Sequence, residues 1–104
     1  MRPEVKINFD MLRWESATPG MRFKVYRDKN KQVRLLELTK EFVENDWCLK
    51  GHIGYILDGR LEITFSTELP TLLEMGDGLM ITEGIQHKAR ALSEVVKLIL
   101  VEDY

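Results

Sequence analysis

The feature that most limits what this chain can become is a two-residue alternation interrupted, about every eight to twelve residues, by turn formers. Ile53, Tyr55 and Leu57 lead into Asp58-Gly59, and Leu61, Ile63 and Phe65 then alternate with Arg60, Glu62 and Thr64. A period of two puts successive side chains on opposite faces of a strand, and Asp-Gly tolerates positive φ, so the stretch reads as a β-hairpin with one apolar face. The rhythm recurs upstream, where Met21, Phe23 and Val25 alternate with Arg22, Lys24 and Tyr26 before the turn-forming DKNK. It recurs downstream in GLMIT, HKARAL and VVKLILV, after turns at TELP and at Gly76-Asp77-Gly78. QVRLLELT suits a strand or a helix, and KEFVEND a polar loop or a single helical turn. Short strands at this spacing describe an all-β antiparallel sandwich or barrel.

The 104 residues are enough for one domain and too few for two. Residues 1–20 are less regular and read as an amino-terminal arm, with the barrel over 21–102. Hydrophobic residues make up 44% and charged residues 31%, ordinary globular usage. The net charge is −2 and no run of Lys or Arg could neutralise successive phosphates, which argues against nucleic-acid binding. No apolar run approaches the roughly 20 residues that span a bilayer. The charged amino terminus lacks the apolar core of a signal peptide, so a cytoplasmic protein without membrane contact is expected. The single Cys48 has no partner within the chain for a disulfide, in keeping with a reducing compartment.

Two spaced motifs resemble those of the cupins. That family's first motif is a glycine, five residues, His-any-His, three or four residues, a glutamate, six residues and a glycine. Here His52, six residues and Gly59 match its end, with His52 at the glutamate position. The family's second motif, a glycine, five residues, Pro-any-Gly, two residues, a histidine, three residues and an asparagine, is matched in GDGLMITEGIQHKARA at Gly76, Gly84 and His87. Thr82 stands at its proline position and Ala91 at its asparagine position. The resemblance implies an antiparallel double-stranded β-helix, or jelly-roll barrel, and a central site that in the family holds a metal on three histidines and a glutamate. Counting back from His52, the first motif's paired histidines fall at Asp46 and Cys48 with one spacing, and at Asn45 and Trp47 with the other.

Strand parity puts His52, Gly54 and Ile56 on one face, and Ile53, Tyr55 and Leu57 on the other. Cys48 lies an even number of residues before His52. The two share a face if the strand already runs straight at Cys48, and do not if a loop or bulge intervenes. A thiolate with two imidazoles is a good set for Zn²⁺, so His52, His87 and Cys48 are the candidate ligands of a divalent ion: zinc first, then iron, nickel or manganese. The plain alternative is that Cys48 is a small core residue and His52 a hydrogen-bonded histidine at a pocket mouth. His87 shares parity with Ala89 and Ala91, whose small side chains leave room for a ligand. The expected pocket adds Trp47, Tyr55, Ile56, Arg34 and Ala89, with Arg34 able to meet an anionic group. Two functions follow: a non-catalytic barrel that binds a small molecule, or a metal-dependent enzyme of the oxygenase or isomerase type using the same three residues. The family's habit and the irregular arm also suggest a homodimer.

Overall fold

Alternation in the sequence becomes strand in the structure, a computed structural model that describes residues 5–104; the first four positions of the expected arm lie outside the described residues. The strands are β1 (Glu15–Thr18), β2 (Met21–Asp28), β3 (Lys31–Thr39), β4 (His52–Asp58), β5 (Arg60–Phe65), β6 (Thr71–Glu74), β7 (Gly78–Ile81), β8 (His87–Ala91) and β9 (Val95–Asp103). A 3-10 turn at Phe9–Met11 precedes them. They form a six-stranded sheet in the order β1-β2-β3-β9-β4-β7 and a three-stranded sheet in the order β6-β5-β8, all pairs antiparallel.

QVRLLELT resolves as β3. It is paired along its length with β2 on one side and β9 on the other, and two hydrogen-bonded neighbours outweigh the modest helical preference of LLEL. The arm is not separate from the sheet: β1 pairs with β2, and the Lys24 ammonium donates to the carbonyl of Phe9 at 2.8 Å.

The expected hairpin at Asp58-Gly59 does not form. β4 pairs with β7 and β9, whereas β5 pairs with β6 and β8, so Gly59 is the corner at which the chain leaves one sheet for the other. A bulge in β4 against β9, between Ile56 and Asp58, bends the strand just before the corner. Gly59 has φ +87°, and a Cβ there would stand 2.3 Å from the carbonyl oxygen of Val95. Asp-Gly therefore supplies the positive φ expected of it, spent on a crossover instead of a two-residue loop.

The inward faces of the two sheets meet in one core. Leu36, Leu38, Ile56, Val96, Leu98 and Leu100 from the larger sheet pack with Leu61, Ile63, Leu73 and Ala91 from the smaller. Along β3 and β9 this stripe gives way at one end to Gln32, Arg34 and Glu102, which keep the same inward parity. A cavity of about 520 Å³ runs from that polar end over the core, lined by Arg34, His52, His87 and the aliphatic side chains of Leu36, Ile63 and Leu100. No helix among the described residues is long and apolar enough to cross a membrane.

Candidate metal centre

Three elements deliver one donor each to the cavity. His52 opens β4 opposite Ile81 of β7, and inward parity points it at the core side of the sheet. His87 opens β8 and is 3% exposed. Cys48 belongs to neither strand: it forms an isolated antiparallel bridge with His87, its N–H donating to the His87 carbonyl at 2.9 Å and its carbonyl accepting from the His87 N–H at 3.1 Å. Residues exchanging both backbone hydrogen bonds stand directly opposite and share a face, so Cys48 is aimed by β8 and not by parity with His52. The straight strand that would have put Cys48 and His52 on one face is absent, yet the two converge, with Sγ 3.7 Å from Nε2 of His52.

The donor atoms of Cys48, His52 and His87 all lie within 4.8 Å of one another. The imidazoles meet edge to face, ring centres 5.1 Å apart at 85°. Each ring has its second nitrogen facing an oxygen. Nδ1 of His87 donates to the backbone carbonyl of Ile85 at 2.9 Å, because a carbonyl can only accept, and this leaves Nε2 with the lone pair. Nδ1 of His52 stands 2.5 Å from Oε2 of Glu102, a close but off-axis approach. A backbone carbonyl behind one imidazole and a carboxylate behind the other are the supports that orient metal-binding histidines and fix their tautomers. The donor set and its surroundings therefore fit a divalent ion.

Glu102 is the residue that strand reading did not single out. It is 5% exposed and accepts from Arg34 through two parallel bonds, Nε to Oε1 at 2.6 Å and Nη2 to Oε2 at 2.8 Å, and from Gln32 Nε2 at 2.8 Å. Burial pushes its pKa upward, but the contact with His52, the two bonds and charge of Arg34, and the Gln32 amide together outweigh it and hold the pKa down at about 2. It is a carboxylate at neutral pH. A signal was present in the sequence, since Glu102 continues the parity of Val96, Leu98 and Leu100, and a charge on the apolar face of a strand needs a partner.

Of the other expected pocket residues, Arg34, Trp47 and Ala89 line the cavity, as do Asp46 and Asn45. Asp46 is not among the donors that converge. Tyr55 and Ile56 are corrected. Tyr55 is 49% exposed on the outer face, where its odd parity with Ile53 places it, and Ile56 is fully buried in the core beneath the cavity without lining it. The cation expected to meet an anion, Arg34, is already engaged with Glu102.

A two-sheet antiparallel β domain with a partly buried histidine–cysteine cluster is the class these features define. Its fold is that of a small cupin-type domain. No family model and no curated protein sequence matches the chain, but solved structures do. KdgF from Halomonas sp. superposes with a TM-score of 0.74 at 20% identity, over 90% of this chain and 89% of that one. An RmlC-like cupin from Shewanella frigidimarina NCIMB 400 gives 0.77 at 12% identity, over 97% and 91%. HppE in its Fe(II) form gives 0.76 at 12% identity over 97% of this chain, which spans 60% of that longer one.

Proposed function

We propose that this domain binds a small molecule in its cavity through a divalent ion, zinc first, held by Cys48, His52 and His87. The observation that carries the reading is the convergence of one sulfur and two imidazoles within 4.8 Å at the cavity wall. When bound, such an ion supplies a Lewis acid that polarises a donor group of the ligand. The chain's own residues do the rest. Glu102 and the Ile85 carbonyl hold the two rings, and Leu36, Ile63 and Leu100 give the cavity a water-excluding aliphatic wall. Because Arg34 is committed to Glu102, the described residues that line the cavity offer no free guanidinium for a carboxylate. The ligand class that fits is a compact, mostly apolar molecule with one metal-binding oxygen or nitrogen.

A second reading, a metal-dependent enzyme of the oxygenase or isomerase type on the same residues, is favoured by one feature: three protein ligands leave a coordination position free for substrate. The sharing of its fold with an Fe(II)-bearing protein keeps iron next in line after zinc. Element analysis of protein purified without chelators tests the ion that both readings need. About one ion per chain is expected, lost in His87→Ala and in Cys48→Ala. Wild-type protein that stays metal-free after incubation with zinc, iron, nickel or manganese would overturn it.

A further inference from the structure

Between Thr39, which ends β3, and His52, which opens β4, residues 40–51 run without a strand, and the one rung they form among the described residues is the Cys48–His87 bridge. Every residue from 42 to 48 nevertheless lines the cavity, so the segment is one of its walls. It is fixed at both ends. Phe42 sits in the core, where its backbone passes so close to Gly20 that a Cβ there would stand 2.3 Å from the Phe42 nitrogen. Just past Cys48, the Leu49 carbonyl accepts from the Gly84 N–H at 2.8 Å. Between these ends the segment follows β8, the last strand of the smaller sheet, whose outer edge no further strand covers. In a regular antiparallel ladder the rung after Cys48–His87 would set Asp46 opposite Ala89, and that rung is absent. The Ala89 N–H donates instead to the Glu44 side chain, reaching Oε1 at 2.8 Å in a part-buried position. On the outer side, the Lys88 ammonium lies over the Trp47 ring at 4.5 Å.

We propose that residues 42–48 are a strap that the ion fastens over the cavity, with Glu44 as the positioning residue that keeps Cys48 aimed at the imidazoles. The inference rests on the metal reading and adds to it what controls closure of the same site. His52 and His87 are carried by strands with hydrogen-bonded neighbours, β4 on β7 and β9, and β8 on β5. Cys48 has no such support. A single rung leaves a chain free to pivot about it, and a second attachment to the same edge removes that freedom. Glu44 supplies the second attachment by side chain, because the backbone has already left the edge where Asp46 would have paired. A carboxylate accepting from a backbone N–H makes a charge-assisted bond, stronger than the neutral rung it replaces. Without it the Ala89 amide is left without its acceptor in a part-buried place. An ion joining Sγ of Cys48 to both rings then ties the strap to β4 of the larger sheet and β8 of the smaller at once. Because the ion meets all three donors only when the strap is closed, occupancy of the centre and closure of this wall are one equilibrium. The ion therefore governs access to the cavity as well as binding within it.

Cobalt(II) in place of zinc tests this on the full chain, since a bound thiolate gives a sulfur-to-metal charge-transfer band that imidazoles alone do not. The wild type is expected to develop the band up to about one cobalt per chain. Glu44→Ala is expected to lose most of the band and to bind cobalt about 10-fold more weakly, whereas Glu44→Gln, whose amide oxygen still accepts from the Ala89 N–H, restores both. Zinc is also expected to slow hydrogen exchange of the amides of residues 43–47 about 10-fold or more in the wild type and to leave it unchanged in Cys48→Ala. A Glu44 that only supports the fold would lower the urea midpoint of Glu44→Ala and leave the band per bound cobalt as it was, which would overturn this proposal and spare the metal reading. Exchange over 43–47 that ignores zinc in a wild type showing the band would do the same, and it decides the case by itself if Glu44→Ala does not fold. A wild type that never develops the band would overturn both together.

Discussion

At Glu102 the last strand exchanges an aliphatic side chain for a carboxylate, and Arg34, Gln32 and His52 converge on it. Removing one member of a buried charged pair leaves the other desolvated and unpaired, which costs far more than the pair is worth against water. Glu102→Gln keeps the shape and removes the charge. It is expected to lower the stability of the ion-free protein by about 3 kcal/mol, read from the urea midpoint. The same variant should bind zinc about 10 to 100-fold more weakly in competition with a chromophoric chelator, because the His52 ring loses the group that sets its tautomer. A role confined to stability would move the first measurement and leave the second unchanged.

Among the elements, the crossover at Gly59 decides which residues can form a site at all. It carries β5 out of the larger sheet to pair with β8, and β8 brings His87. Gly59→Ala must place a Cβ 2.3 Å from the Val95 carbonyl at a positive φ, so a loss of at least about 2 kcal/mol is expected in thermal or urea unfolding. Local pattern was enough to reveal the strands, because a period of two survives in a single sequence; this holds for β2, β5, β8 and β9. Pairing was not legible in the same way. Asp58-Gly59 has the chemistry of a tight hairpin, and nothing within its neighbourhood says that β9 will claim β4 while β8 claims β5. The site divides along the same line. His52 and His87 were visible through spaced motifs, and Cys48 as the nearest soft ligand. Glu102 and the bridge that aims Cys48 depend on register between segments far apart in the chain, whereas Tyr55 follows its strand parity to the outer face.

For the whole molecule, the centre and the fold draw on the same structure. The unfolded chain does not hold Cys48, His52 and His87 together, so an ion that binds them stabilises the native state by mass action, about 2.7 kcal/mol at a hundredfold excess over Kd. In a domain of this size that is a rise in Tm on the order of 10 °C. Zinc is expected to produce it in the wild type and to lose most of it in Cys48→Ala, as followed by circular dichroism; equal shifts in both proteins would place the ion elsewhere. The two-way backbone bridge between Cys48 and His87 also has a bearing on how the protein matures. One of its ends precedes β4 and the other begins β8, so closing it waits on pairing across long loops, the slow part of assembling any such topology. On the proposed reading, a nascent or half-zipped polypeptide lacks the full donor set, and an ion would meet all three donors only once both walls stand.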